Sequence, residues 1–146
     1  MKKLILKKKL NSKTKDLTNS PSALINWLTV IIWAAVIFTL SSIPQIKISQ
    51  FLFWDFVVKK TAHVTEYAIF YALIFRATRG KWALSYLLIA LYALSDEFHQ
   101  KFVPGRTATL LDAAFDLTGA NVASYIIWKL KQIRRNKLEK SPKKSH

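Results

Sequence analysis

Cysteine is absent from this sequence, and glycine and proline are scarce, with three and four residues respectively. The absence of cysteine excludes a disulfide framework, a thiolate metal site and a cysteine nucleophile. Acidic residues are also few, because eight Asp and Glu stand against 23 Lys and Arg, which gives a formal net charge of +15. Hydrophobic residues make up 51% of the 146 positions, so the chain has the size and composition of one ordinary domain and is neither disordered nor fibrous.

The positive charge is concentrated at the two ends of the chain. Residues 1–21 and 129–146 hold 17 of the 31 charged side chains, so the sequence divides into a basic leader (1–21), an apolar domain (22–128) and a basic tail (129–146). The tail lacks interleaved aromatic residues and any recognisable reading motif, so we expect no nucleic-acid partner. Basic segments of this kind are typical of the cytoplasmic side of membrane proteins, where they can also lie on anionic lipid.

An uncharged stretch of 22 residues runs from Ser22 to Ile43. At about 1.5 Å per residue, a helix of this length crosses a hydrocarbon core roughly 30 Å thick. Its length and its basic leader favour a retained anchor over a cleaved signal peptide. Three further stretches, 61–75, 81–98 and 110–128, contain segments that are apolar on all sides, which disfavours a soluble bundle with a wet face. We therefore predict an all-α integral membrane bundle of four transmembrane helices.

The distribution of Lys and Arg predicts how this bundle is oriented. The leader, the link between the second and third helices and the tail together contain 18 basic residues, whereas the other two links contain five. Because cytoplasmic segments carry the excess of Lys and Arg, both termini should face the cytoplasm, in a multi-pass protein of the inner (cytoplasmic) membrane. The first outer connection, 44–60, contains the run QFLFWDFVV, which we expect to lie along the membrane interface.

Ionisable residues concentrate at the predicted outer ends of the helices. This topology puts five of the eight acidic residues and two of the three histidines on one membrane face, most of them at helical spacing. Ionisable groups inside a membrane cost free energy unless they are paired, and they are usually functional. The set comprises His63 and Glu66 in the second helix, Asp96, Glu97, His99 and Gln100 in the third, and Asp112 and Asp116 in the fourth.

Structural explanations remain open for part of this set. Acidic residues near a helix N-terminus are stabilised by the helix dipole, which is a sufficient reason for Glu66, Asp112 and Asp116. The same dipole opposes Asp96 and Glu97, which lie near a C-terminal end, so those two residues require another explanation. Either histidine alone is consistent with an ordinary interfacial histidine.

Crowded carboxylates must share protons, pair with nearby Lys or Arg, or hold a cation. A divalent metal is one possible cofactor, although the spacing matches no dedicated metal motif. Arg106 follows the turn signal Pro104–Gly105, and its planar guanidinium suits a carboxylate or a phosphate. The alternative is that Arg106 neutralises Glu97 or Asp112 and holds the loop in place. The candidate metal ligands are Asp96, Glu97, Asp112 and Asp116.

Three motifs in this sequence resemble the VanZ-like family of small membrane proteins. They are KTAHVTEYA (60–68), SDEFHQKFVPGRTAT (95–109) and DAAFDLTGA (112–120), within a resemblance that covers residues 27–128. The family is named for a member associated with resistance to teicoplanin, a glycopeptide antibiotic that acts outside the membrane. The resemblance implies that the polar signature of the family lies at Lys60, His63, Glu66, Tyr67, Asp96, Glu97, His99, Gln100, Pro104, Gly105, Arg106, Asp112, Asp116 and Gly119.

The resemblance implies an outer-face polar site that binds or modifies a component of the cell envelope, with an effect on glycopeptide susceptibility. Expected partners are membrane lipids and a lipid-linked cell-wall precursor or a glycopeptide. The alternative is a non-enzymatic scaffold or transporter-like bundle whose polar network is structural or shares protons, so enzymatic activity is left open. A catalytic version would use His63, Glu66, Asp96, Glu97, His99, Asp112 and Asp116 in the reaction and Lys60, Gln100 and Arg106 to bind the substrate.

Overall fold

The computed structural model describes residues 21–44, 52–106 and 110–139, which form four α-helices and no β-strand. Residues 1–20 of the basic leader, 45–51 of the first outer connection, 107–109 and 140–146 of the basic tail lie outside the described residues. The all-helical fold predicted from the sequence is confirmed. In chain order, α1 is Pro21–Ser41, α2 is Leu52–Ala77, α3 is Trp82–Gln100 and α4 is Leu110–Glu139.

Two of the helices are longer than the predicted segments. Helix α2 begins at Leu52, so the second half of the connection 44–60 is continuous with α2 instead of forming a separate interfacial piece. Helix α4 continues past Trp128 through the first part of the basic tail to Glu139. Neither extension contains Gly or Pro, and the tail segment is rich in Lys, Arg and Leu, which are good helix formers.

Helix α1 is long and apolar enough to cross a membrane, and within the described ranges it is the one helix that meets this criterion. Only 11% of its apolar window is buried against the rest of the protein, and Leu24 and Ile31 are 74% and 62% exposed. A core helix of a soluble protein would be mostly buried, so the exposure of α1 favours a membrane helix over a core helix. The other three helices carry more charge, and the four-span count stays a prediction.

Helix α2 packs against all three other helices, most extensively against α4. Helix α4 has several small buried residues, among them Ala113, Ala120 and Ala123. At Gly119 the two backbones touch, since a Cβ atom placed there would lie 2.2 Å from the carbonyl oxygen of Val64. Small residues at such a contact allow two helix backbones to approach closely, as is common between membrane helices.

Hydrogen bonds from aromatic side chains connect α1 to its neighbours. The indole Nε1 of Trp33 donates to the carbonyl oxygen of Glu66 at 3.0 Å, and the hydroxyl of Tyr92 donates to the carbonyl oxygen of Ala34 at 2.6 Å. These bonds hold α1 against α2 and α3 although few of its side chains are buried. They act together with a core that is centred on the buried aromatic residues Tyr67, Phe70 and Tyr71 of α2.

The bundle has two chemically different ends. At the turn end, α2 and α3 are joined by a tight turn in which Arg79 and Gly80 both have positive φ angles, 57° and 79°. At the site end, the C-terminal parts of α1 and α3 meet the N-terminal parts of α2 and α4, as the contacts Ser41 to Asp96 and Lys60 to Asp112 demonstrate. The polar residues singled out from the sequence lie at this second end.

Replacement of Gly119 by Ala is expected to lower the thermal stability of the protein, by about 1–3 kcal/mol, because the added methyl group would push α4 away from α2. The sign of the effect is diagnostic. If the contact were loose, the same change would stabilise the helix by up to about 1 kcal/mol through the higher helix propensity of Ala. Thermal unfolding in detergent measures the effect, and Thr118→Ala, at the neighbouring exposed position, is the control.

Candidate functional site

Five acidic residues from three helices come together at the site end of the bundle. Glu97 lies within electrostatic range of Asp96, Asp112 and Asp116, and Glu66 lies within range of Asp96 and Asp116. Asp96, Glu97 and Asp116 are almost fully buried. We refer to these five residues, Glu66, Asp96, Glu97, Asp112 and Asp116, as the acidic cluster.

Two members of the acidic cluster have basic partners on α2. The Nζ atom of Lys60 donates to Asp112, and it also lies 4.9 Å from the centre of the Phe115 ring. The Nδ1 atom of His63 lies 3.3 Å from Oδ1 of Asp116. The sequence analysis expected crowded acids to pair with nearby Lys or Arg, and Lys60 forms such a pair with Asp112.

Asp96 is held by neutral donors from three helices. Its Oδ2 atom accepts hydrogen bonds from the hydroxyl of Ser41 on α1 at 2.8 Å and from Nε2 of Gln100 on α3 at 2.9 Å. The hydroxyl of Tyr67 on α2 lies at the limit of hydrogen bonding, 3.5 Å from the same oxygen. Because a buried carboxylate is costly without such donors, this network ties the ends of α1, α2 and α3 to one side chain.

The guanidinium of Arg106 is occupied by groups of the protein itself. Nη2 donates to the carbonyl oxygen of Leu40 at 2.8 Å, Nε to that of Ile43 at 3.3 Å, and Nη1 to Oε1 of Gln100 at 3.2 Å. Carbonyl groups at a helix C-terminus lack partners within the helix and favour a nearby cation. Arg106 therefore closes the C-terminal end of α1 and holds its own loop in place, through carbonyl groups rather than through an ion pair with Glu97 or Asp112.

The ring of His99 contacts residues at the C-terminal end of α1. Its Nε2 atom lies 3.0 Å from the hydroxyl of Ser42, and its ring centre lies 4.2 Å from that of Phe38. At about 100° per residue, Glu97 and His99 point in directions about 160° apart around α3, so one faces α4 and the other faces α1. The sequence grouped His99 with the acids by its spacing from Asp96, and the structure separates it from Glu97.

Four buried carboxylate oxygens have no hydrogen-bond partner among the described residues. They belong to three side chains that are at most 6% exposed. Buried polar atoms are almost always hydrogen-bonded, and an atom without a partner indicates a ligand, a water molecule or a bound proton. All four atoms are acceptors when their carboxyl groups are ionised, so the described residues supply too few donors for them. The atoms are Oδ1 of Asp96, Oε1 and Oε2 of Glu97, and Oδ2 of Asp116.

The described side chains contain no group of three or more His, Asp or Glu residues arranged to hold a metal ion. The four metal-ligand candidates from the sequence are in different environments. Asp112 is paired with Lys60, Asp116 contacts His63, and Oδ2 of Asp96 receives hydrogen bonds from neutral donors. This arrangement does not bring the four candidate ligands together around one metal position, and a phosphate clamp would require Arg106 to give up its present partners.

Sequence reasoning missed the contribution of α1 to this site. Ser41 binds Asp96, Ser42 contacts His99, and the carbonyl groups of Leu40 and Ile43 bind Arg106. A signal was present, because Ser41 and Ser42 directly follow the apolar span on the side where the other helices carry their polar ends. A serine pair at a helix end is too common to attract notice by itself.

The fold and the site define a small all-helical protein with an outward-facing apolar helix and a buried acidic cluster at one end of the bundle. The model of the VanZ/LLP1 family matches residues 7–132, so the chain belongs to the VanZ/LLP1 family, and the resemblance identified from the three motifs is confirmed. No curated protein and no solved structure matches the chain significantly. The family and the exposed surface of α1 together indicate a membrane protein.

Arg106→Lys should lower thermal stability, because lysine keeps the charge but cannot contact two carbonyl groups and Gln100 with one planar group. The expected loss is about 1–2 kcal/mol, which is the order of one hydrogen bond to a charged group. Lys101→Ala, an exposed change in the same loop, provides the control and should have no such effect. Equal stability of Arg106→Lys and the parent protein in detergent would contradict the capping role.

Proposed function

We propose that this chain is a four-span protein of the inner membrane whose site end faces outward and binds a component of the cell envelope. The acidic cluster forms the binding site. Where the bound component is the target of a glycopeptide antibiotic, binding would alter susceptibility to that antibiotic. The proposal combines the family of the chain with the geometry of the site end.

The surface of α3 supports a membrane-spanning role for helices other than α1. Exposed apolar side chains recur every three or four residues along α3, and each of them is more than a third exposed. Such a stripe on the outside of a small protein is unfavourable in water and suits the acyl chains of lipid. The charged residues of the same helix, Asp96 and Glu97, are buried. The exposed stripe consists of Leu84, Leu87, Leu91, Leu94 and Phe98.

The charges at the two ends of the bundle support the orientation. The turn end carries Arg76, Arg79 and Lys81, and α4 extends from this end with the basic residues of segment 129–139. Cytoplasmic segments carry the excess of Lys and Arg, so the turn end should be cytoplasmic. The acidic cluster would then face the outer leaflet, where cell-wall precursors and glycopeptides are found.

The observation that carries the proposed binding role is the unpartnered state of Glu97 within the described part of the chain. A purely structural network satisfies its own buried atoms, as Oδ2 of Asp96 does with Ser41 and Gln100. Glu97 is 6% exposed, yet neither of its carboxylate oxygens has a described partner. Sites that keep an unfavourable buried group at a cost in stability are typically functional, which favours a binding site over a scaffold.

Single cysteine variants should report the orientation, because the parent chain contains no cysteine. Lys101→Cys lies in the exposed loop at the site end, and Lys81→Cys lies at the exposed start of α3 at the turn end. A membrane-impermeant maleimide should label Lys101→Cys on intact cells and should label Lys81→Cys only after permeabilisation. The cysteine-free parent is the control, and the reverse pattern would refute the proposed orientation.

Glu97→Gln should leave the protein folded and at least as stable as the parent, because the change replaces a buried carboxyl group that has no described partner by a neutral amide of the same shape. The same variant should bind its envelope component at least tenfold more weakly, which corresponds to about 1.4 kcal/mol. Native mass spectrometry of purified protein, incubated with a total lipid extract or with lipid-linked cell-wall precursor, measures the bound component.

The matched control for this experiment is Glu139→Gln, an exposed acidic residue at the far end of α4. It should bind as the parent does. A Glu97→Gln protein that unfolds at a lower temperature and still retains its bound component would favour the structural alternative. Absence of any bound envelope component from the parent protein would refute the proposed function.

A further inference from the structure

Acidic groups outnumber basic groups in the acidic cluster among the described side chains. Its five carboxyl groups have Lys60, Arg106 and His63 as basic neighbours, and Lys101 lies in the exposed loop at the same end. Lys60 is engaged with Asp112, and Arg106 with Gln100 and backbone carbonyls. The site therefore has hydrogen-bond acceptors available for a ligand, whereas Lys60 and Arg106 are already bound to groups of the protein.

We propose that the acidic cluster takes a primary ammonium group as its ligand, with Glu97 as the principal contact. This inference rests on the proposed function and names the chemical class of the envelope component. An ammonium group has three N–H donors and no acceptor. Three carboxyl groups of the cluster, on Asp96, Glu97 and Asp116, each have at least one buried oxygen without a described partner.

The geometry favours an ammonium group over a metal ion. Metal coordination by oxygen requires distances of about 2.0–2.6 Å, whereas an ammonium donates to carboxylates at about 2.7–2.9 Å and tolerates a wider arrangement. No metal-binding arrangement occurs in segments 21–44, 52–106 and 110–139. The carboxyl group of Glu97 is nevertheless close enough to those of Asp96, Asp112 and Asp116 to interact with them electrostatically. Acceptor oxygens without a described partner on three side chains suit a cation with directional N–H donors.

The geometry also argues against an anionic ligand. A phosphate would approach three buried carboxyl groups and would need the guanidinium of Arg106, which already holds Leu40, Ile43 and Gln100. Glu97 has its strongest electrostatic neighbours on α4, Asp112 and Asp116. A cation placed between α3 and α4 relieves the repulsion among these groups, whereas an anion increases it.

A primary ammonium at a membrane surface has two sources, a lipid headgroup and the side chain of a lysine-containing peptide. Full-length protein in lipid nanodiscs separates them. The lipid arm compares phosphatidylethanolamine with phosphatidylcholine in a phosphatidylglycerol background, because the choline headgroup has the same charge and no N–H donor. The peptide arm compares an Nα-acetylated, lysine-containing stem pentapeptide with its Nα,Nε-diacetylated form in nanodiscs that contain no phosphatidylethanolamine.

We expect at least one arm to show a tenfold or greater preference for the free primary amine, measured as lipid retained or as peptide affinity. Glu97→Gln should abolish this preference, and Glu139→Gln should retain it. A preference in the lipid arm alone assigns a headgroup, and one in the peptide arm alone assigns a peptide. Thermal stability of both variants is measured in the same nanodiscs, so that loss of the preference can be separated from unfolding.

Three results would overturn the inference. The first is equal binding of free and blocked amines in both arms. The second is stabilisation by Mg²⁺ alone that Glu97→Gln abolishes, which would assign the site to an inorganic cation. The third is an amine preference that Glu97→Gln leaves intact. If an envelope component binds regardless of its amine, the inference fails and the proposed function stands, whereas both fail if no envelope component binds at all.

Discussion

Burial of carboxylates at one end of the helical bundle is the constraint on which the rest of this structure depends. Removal of a carboxylate from water costs free energy that only partners can offset. The chain meets this cost unequally: Asp112 has a lysine, Asp116 has a histidine, and Asp96 has neutral donors. Glu97 has no described hydrogen-bond partner. This gradient from satisfied to unsatisfied acids distinguishes the residues that hold the helix ends together from Glu97, for which we propose a ligand.

Close packing in the middle of the bundle sets the geometry of the site. Gly119 brings the backbone of α4 against that of α2 beside Val64. One turn toward the site end, Asp116 consequently meets His63, the neighbour of Val64. A further turn in the same direction pairs Asp112 with Lys60. The two charge contacts and the glycine contact follow one register between α2 and α4, so the small-residue packing and the electrostatics of the site are one structural feature.

Much of the fold and part of the site follow from local patterns. The uncharged run that forms α1 and the apolar stretches within α2, α3 and α4 predicted four helices. Because consecutive helices run in opposite directions, their polar ends were expected at the same end of the bundle. The extended length of α4 was missed, because charge was taken as the end of the helix although Lys and Arg are good helix formers. The site partners of His99 and Arg106 were also missed. Both partners lie at the end of α1, and the apolar run of α1 predicted a membrane span without predicting any polar contact.

The sequence by itself determined the helical class, the apolar character of α1, the family and the grouping of acids, because each follows from composition or from short spacing. Only the tertiary structure decided which partner each charged group takes. The partners are 52 to 66 residues apart in the pairs Lys60 with Asp112, Ser41 with Asp96 and Arg106 with Leu40. The rotation of each helix about its axis decides these contacts, and that rotation is set by packing between helices that no local pattern encodes.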